Sequence, residues 1–338
     1  MEKIRAGIVG FGSMGRLYAD ALHTFPNAEV RAVADSNPTN AEEARGRYGC
    51  QAFDDYTRMF DAGIVDLAII TLPDFLHREA VIRAAERGIH VLVEKPFATS
   101  MADADAMVAA IEKSGVRCMV EFFNRWSPPF AEAKKRVDAG ELGEIVSVSA
   151  ELNDTIFVPT RMLKWSSKSS PAWFLMSHIA DLAFWILSKK PKAVTAFGVR
   201  KLLAQRGIDT FDLVDAHLEY PDGSSGRLSN LWVLPEGMPI VYELTMRIVG
   251  SKASIDIDTS DQEVHLVTQE KVSHPITAWG NILGQHVGHP YSMLRSMIDT
   301  VATGGQPIVS HRDGYENTKF IAAVHESLET DRKILLNW

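Results

Sequence analysis

At 338 residues the chain is long for a single hydrophobic core and suits two domains of ordinary size. Its residues are 46% apolar and 23% charged, no apolar run approaches the roughly 20 residues of a bilayer helix, and a formal net charge of −8 argues against a nucleic-acid surface. Met1–Arg5 leads straight into a strand pattern with no room for a signal peptide, and Cys50 and Cys118 lie in separate elements as small core residues; a cytoplasmic protein is expected.

The first strand pattern, Arg5 to Val9, stops at Gly10, Gly12 and Gly15, and a helical pattern runs from Ser13 to Leu22. Such a turn grips a dinucleotide. Gly10 allows the tight turn, Gly12 leaves room for a pyrophosphate, and Gly15 lets the helix pack on the strand it has just left. The phosphates then face unpaired helix amides at the positive end of the helix dipole. A second strand, Glu29 to Ala34, ends in Asp35 at the spacing of a ribose-binding acid. A carboxylate there accepts the ribose hydroxyls of NAD. It repels the 2′-phosphate of NADP, and Asp35-Ser36-Asn37-Pro38 supplies no cation, so NAD is favoured over NADP. The alternative for Asp35 is a turn cap.

Helical pieces follow at Asn40–Tyr48 and Tyr56–Asp61, with a short edge strand near Phe53. Val65–Ile70, His90–Val93 and Arg117–Val120 read as buried strands, separated by helices at Phe75–Arg87 and Ser100–Lys113. Strands alternating with helices imply a parallel sheet covered on both faces, with ligands at the strands' carboxyl ends. Those ends are Gly10, Asp35, Thr71-Leu72-Pro73, Glu94-Lys95-Pro96 and Glu121-Phe122. Asn124–Pro129 is a breaker-rich link, and β signals dominate beyond the helix Phe130–Ala139. Antiparallel strands are expected at Ile145–Leu152, Ala193–Arg200, Leu213–Glu219, Gly226–Val233, Tyr242–Gly250 and Ala253–Ile257. A long helix, Ala172–Leu187, interrupts them, and helices return at Ser292–Thr303 and Glu316–Thr330. Such a sheet needs a cover on its second face, and another subunit is the simplest one, because an exposed apolar face would aggregate.

Three positions carry candidate chemistry. Lys95, after a buried strand, can stabilise a developing alkoxide. His178 and Asp181 share one face of an apolar helix, where a carboxylate one turn away can orient an imidazole acting as general base. His286 and His289 are also three apart, but no third metal ligand is evident and no metal is expected.

Taken together, the glycine turn with Asp35, the Thr71–His77 strand exit, the Glu94-Lys95-Pro96 triplet, Asn124-Arg125 and His178-x-x-Asp181 resemble the Gfo/Idh/MocA oxidoreductases over nearly the whole chain. The resemblance implies an α/β Rossmann domain, residues 1–122, and an α+β domain with a large, mostly antiparallel sheet, residues 123–338, whose last helix packs back on the first. It implies an NAD(P)-dependent dehydrogenase of a sugar, cyclitol or sugar acid, assembled as a homodimer or homotetramer through that sheet, with NAD the coenzyme that Asp35 favours. Gly10, Phe11, Gly12, Ser13, Met14, Gly15, Asp35, Ser36, Thr71, Leu72, Pro73, His77, Glu94, Lys95 and Asn124 would then hold coenzyme. Lys95, with a cis bond to Pro96, and His178 with Asp181 would be catalytic.

One departure stands out. Family members often carry Asp four residues before the histidine and Gly two before it, where this chain has Phe174 and Met176. Either Asp181 supports His178 alone or another acid such as Asp154 enters. Trp165, Trp173 and Phe174 with Arg161 would form an aromatic wall with one cation for a ring and an anionic substituent, and Arg125 would also contact substrate. Redox-neutral epimerase, lyase or glycosidase chemistry through a transient ketone, and a non-catalytic sensing role, are the alternatives.

Overall fold

The computed structural model describes residues 3–338. Contacts divide the chain into two compact units, and the division differs in form from a single break near residue 122. One unit comprises the chain up to Phe123 together with Trp279–Thr318; the other comprises Asn124–Ala278 and Lys319–Trp338.

In chain order the first unit begins with β1 (Ile4–Val9), α1 (Ser13–Thr24), β2 (Ala28–Ala34), α2 (Pro38–Tyr48), β3 (Gln51–Phe53) and α3 (Tyr56–Asp61). It continues with β4 (Leu67–Ile70), α4 (His77–Glu86), β5 (His90–Val93), α5 (Met101–Ser114) and β6 (Cys118–Val120). The strands form one parallel sheet in the order β3-β2-β1-β4-β5-β6. All four residues of β4 are buried, as a strand covered on both faces requires. The order reverses between β1 and β4, and that switch point is where an open parallel sheet receives a ligand. Helix ends follow local chemistry: α5 opens on Ser100, whose hydroxyl accepts the Asp103 amide at 3.1 Å, and closes at Gly115 with φ +70°.

The second unit holds α6 (Pro128–Asp138), β7 (Ile145–Asp154), α7 (Ser177–Leu187), β8 (Ala193–Val199), α8 (Leu202–Gln205), β9 (Leu213–Glu219), β10 (Ser225–Leu231), β11 (Tyr242–Gly250) and β12 (Ser254–Asp258). The short strands β13 (Leu266–Val267) and β14 (Val272–Ser273) follow. The chain then re-enters the first unit through the hairpin β15 (Trp279–Ile282) and β16 (Gln285–Gly288) and helix α9 (His289–Thr303). The final helix α10 (His311–Thr330) starts in the first unit and ends in the second, where β17 (Ile334–Leu335) joins β8.

The larger sheet runs β12-β11-β7-β10-β9-β8-β17. It is antiparallel except at one place: β10 pairs with β7 in parallel, because the chain leaves β7 through α7 and returns only after β8 and β9. Val148, Ala150 and Leu152 of β7 pack into one core with Ile179 and Leu182 of α7. The opposite face is polar, not apolar as expected: Arg227 sits between Glu151 at 2.9 Å and Asp215 at 3.1 Å, and Arg247 bonds Asp256. Phe197, 65% exposed, and Leu335, 74% exposed, are large apolar residues on that face. The helix expected over Ala172–Leu187 is two pieces, a π-helical turn at Ala172–Met176 and then α7.

Candidate active site

The chemistry-bearing residues fall in both units, and each set is built within its own. In the first unit the three glycines do what their spacing demands. Gly10 has φ +88°, a backbone that side chains avoid, and a Cβ there would press on the Thr71 carbonyl at 3.0 Å. A Cβ on Gly15 would lie 2.2 Å from the Gly10 carbonyl oxygen, so α1 packs on the turn at a distance that glycine permits. A Cβ on Gly12 would meet nothing within 4 Å, and no side chain caps α1 at that end. Open space beside uncapped amides at a helix N-terminus fits a dinucleotide's pyrophosphate. Ser13 and Met14 begin that helix, so their amides belong to the same set.

Asp35 braces the turn as well as ending β2. It accepts the Phe11 amide at 2.6 Å, the Asn37 amide at 2.8 Å and the Asn40 side-chain amide at 3.2 Å, the contacts of a turn cap. Three donors leave acceptor capacity for a ribose hydroxyl. Ser36 beside it is exposed. The Thr71 hydroxyl donates to the Gly10 carbonyl at 2.5 Å, and the Leu72 side chain packs on Gly10, so both shape the turn. Pro73 leads into a short 3-10 turn, Asp74–Leu76.

His77 is a buried link between two strand-end loops. It is 1% exposed, with its ring nitrogens 2.9 Å from the Pro96 carbonyl oxygen and 3.0 Å from that of Leu72. It ties the loop after β4 to the loop after β5, and burial lowers its pKa.

The Lys95–Pro96 bond is cis. Glu94 is buried; one carboxylate oxygen accepts the Lys95 amide at 3.2 Å and the other has no hydrogen-bond partner. Burial pushes its pKa up to about 7, against a smaller downward pull from Lys95. Glu121, just past β6, is a residue that periodicity and motif did not single out. It is 0% exposed, both carboxylate oxygens lack partners, and burial holds its pKa well above the usual range. A continuous apolar strand reading gives no signal that the next residue is a buried neutral acid.

In the second unit, Asp181 is 3% exposed and both of its oxygens are taken by Arg125, from Nε at 3.0 Å and Nη2 at 2.5 Å. This bidentate pair is a contact that the spacing of His178 and Asp181 did not point to. Asp181 is anchored to Arg125, and Arg125 spends its fork on that acid, with its guanidinium 5.8 Å from the Trp185 ring centroid. His178, 8% exposed, sits in the first turn of α7, directly after the π-helical turn that carries Phe174 and Met176. Such turns recur at functional sites. Asn124, 8% exposed, opens this unit in a 3-10 turn.

The expected aromatic wall divides. Trp165 meets Phe174 edge-on at 6.0 Å, and Phe174 meets Trp232 at 5.6 Å. Trp173 stacks on His325 at 5.2 Å and 16°, in the core, where Ser170 Oγ lies 2.9 Å from the same imidazole. Burial drives the His325 pKa down to about 4. Asp154, 5% exposed, accepts the Trp232 indole N–H at 3.2 Å. Arg161 is exposed and paired with Glu236 at 2.9 Å. Trp232, fully buried, was not anticipated as a partner of this cluster.

Neither histidine pair makes a ready metal site. His286 packs on Tyr291 and His289 on Phe123 and Trp279, with burial lowering the His289 pKa to about 4. Among the described residues, Asp261, His265 and His274 bring ligand atoms within 4.8 Å of one another. The two imidazoles there stack at 4.5 Å and 19°, and His265 Nε2 lies 2.6 Å from Asp261 Oδ1. No helix among the described residues is long and apolar enough to cross a membrane.

Comparison with known proteins agrees with this geometry. Residues 4–122 match the model of an oxidoreductase family with an NAD-binding Rossmann fold, and residues 130–256 match the GFO/IDH/MocA C-terminal domain. The chain is 26% identical to scyllo-inositol 2-dehydrogenase (NAD(+)) of Bacillus subtilis over 344 residues, covering 99% of this chain and 97% of that one. It is 30% identical to 2,7-anhydro-N-acetylneuraminate hydratase of Escherichia coli over 76% of this chain and 68% of the relative. The crystal structure of myo-inositol 2-dehydrogenase from Lactobacillus plantarum superimposes with a TM-score of 0.87 at 21% identity, covering 99% of this chain and 100% of that one.

Proposed function

The chain belongs to the Gfo/Idh/MocA oxidoreductase family, and on that premise we propose that it transfers hydride between a secondary hydroxyl of a sugar, cyclitol or sugar acid and the nicotinamide of NAD. The observation that carries this reading is the cradle, where open space at Gly12, uncapped helix amides and the carboxylate of Asp35 suit an adenine dinucleotide and nothing basic is needed. When bound, the nicotinamide supplies the hydride acceptor or donor.

The protein's own residues do the rest. Lys95 holds the substrate oxygen and stabilises negative charge as it develops. His178 takes the hydroxyl proton during oxidation and returns it in the reverse direction. Asp181 with Arg125 fixes α7 beneath His178, and Trp165 with Phe174 offers an apolar surface to one side of a ring. A cytoplasmic protein is part of this reading, supported by two cysteines that remain free thiols. So is a homodimer or homotetramer built through the polar face of the larger sheet around Phe197, which light scattering on wild type and Phe197→Glu tests.

The direct test of activity is a panel of cyclitols, hexoses and hexuronic acids with NAD, followed at 340 nm. NADH formation with at least one member is expected; none with any, in the presence of measurable NADH binding, sinks the dehydrogenase reading. The hydratase relative supports a second reading in which a retained coenzyme is reduced and reoxidised within one turnover. Product without net NADH, detected by chromatography, distinguishes it.

A further inference from the structure

Resting on that coenzyme reading, the adenosine end of the cradle shows how NAD is chosen over its 2′-phosphorylated form. In sequence, Asp35 alone makes the choice, since no cation follows it before Pro38. The structure adds a cation that linear spacing hides. Arg16, next after the third glycine, turns its guanidinium back on the loop: Nη1 is 2.5 Å from the Phe11 carbonyl oxygen, and the group lies 4.7 Å from the Phe11 ring centroid. Nη2 is also 3.0 Å from Asn40 Oδ1. Asn40 and the Phe11 amide are both donors to Asp35 Oδ2, at 3.2 and 2.6 Å. The guanidinium is therefore one residue away from the ribose-binding carboxylate by two routes, and Asp35 is among the charges that raise the Arg16 pKa, after the hydrogen bond to Glu43.

An arginine beside that carboxylate is what accommodates a 2′-phosphate in cradles of this kind. Here the arginine is already occupied. Glu43 of α2 takes it by a two-pronged bond, Nη2 to Oε2 at 2.6 Å and Nε to Oε1 at 3.1 Å. With Phe11 on Nη1, every nitrogen of the guanidinium has an acceptor, and the ion pair engages the cation with the two side chains 32% and 40% exposed. Arg47, whose guanidinium lies 5.5 Å from the centroid of the Tyr48 ring that packs on Phe11, is likewise held by Asp20 at 2.7 Å.

We propose that Glu43 is a specificity-determining residue that sequesters Arg16, so that discrimination against NADP rests on two carboxylates, Asp35 repelling the 2′-phosphate and Glu43 withholding its cation. Removing Asp35 alone then makes the pocket neutral toward phosphate without making it attractive.

Binding, not turnover, tests this. NADH and NADPH dissociation constants are measured by coenzyme fluorescence on the full-length protein for wild type, Asp35→Ser, Asp35→Ser/Glu43→Gln, and the same double variant with Arg16→Ala. The NADPH-to-NADH affinity ratio should rise about tenfold further from Asp35→Ser to the double variant, the scale of a charge-assisted pair, and Arg16→Ala should abolish that gain. An equal ratio in the single and double variants overturns the proposal, as does a gain that survives Arg16→Ala. Wild-type protein that binds neither coenzyme overturns the cradle reading itself, whereas tight NADH binding with an unresponsive ratio overturns the role of Glu43 alone.

Discussion

The cradle of the first unit works through backbone and empty space, while the His178 helix of the second works through side chains held by remote partners. At Gly12 a missing Cβ leaves room, and at Gly15 it allows a close approach. Around α7, Asp181 is held by Arg125, 56 positions earlier, and Asp154 meets Trp232, 78 positions later. A backbone device fails sharply at its own positions and tolerates change around them. A side-chain device fails when one partner leaves the other buried without its bond.

The largest expected effect is therefore at the ion pair. Arg125→Met removes the bidentate partner of a 3%-exposed carboxylate, which should cost about 3–5 kcal/mol and lower Tm by about 10 °C in calorimetry. Arg125→Met with Asp181→Leu should recover most of the loss, because neither charge remains buried. A double variant as unstable as the single one would locate the instability elsewhere and break the contrast between the units.

Next in size is Lys95→Ala. Turnover should fall by about 10²-fold or more while NADH still binds, because the proposed function puts the ammonium on the reacting oxygen and builds the cradle from other groups. Gly12→Ala should do the reverse, weakening NADH about tenfold with Tm unchanged, since its Cβ enters open space that the coenzyme needs. Gly15→Ala, with its Cβ 2.2 Å from a backbone oxygen, should instead lower Tm by about 5 °C. Equal Tm values for the two glycine variants would contradict their separate roles.

This contrast also explains what could be read from the chain beforehand. The glycine turn, Asp35, the parallel sheet and the Glu94-Lys95-Pro96 exit were legible because each is local and its geometry follows from residue type and spacing. The bond from Arg125 to Asp181 was not, since the three-residue spacing of His178 and Asp181 suggested a partner that lay nearer in sequence. The return of Trp279–Thr318 to the first unit and the parallel pairing of β10 with β7 depend on chain path, which periodicity does not encode. Arg16 was hidden for the same reason: its side-chain partners Glu43 and Asn40 sit on α2, a different helix.

The smallest expected effect concerns the two buried acids at the carboxyl ends of β5 and β6, and it places a side-chain device inside the backbone-built unit. Glu121 and Glu94 both have raised pKa values in the fold. As pH rises above the ordinary carboxyl range near 4.5, each ionises in the unfolded chain while the folded chain keeps its proton. The unfolded state then binds fewer protons, so stability falls with rising pH, through about 7 for Glu94 and further for Glu121. Coenzyme-free protein should lose Tm between pH 5 and pH 8, and Glu121→Gln, which has no proton to lose, should flatten that decline by a few degrees. Glu94→Gln should flatten the portion below about pH 7. If Glu121→Gln follows the wild-type slope throughout, the Glu121 carboxyl has partners that supply its ionised form with hydrogen bonds, and the first unit holds no stranded acid at that strand end.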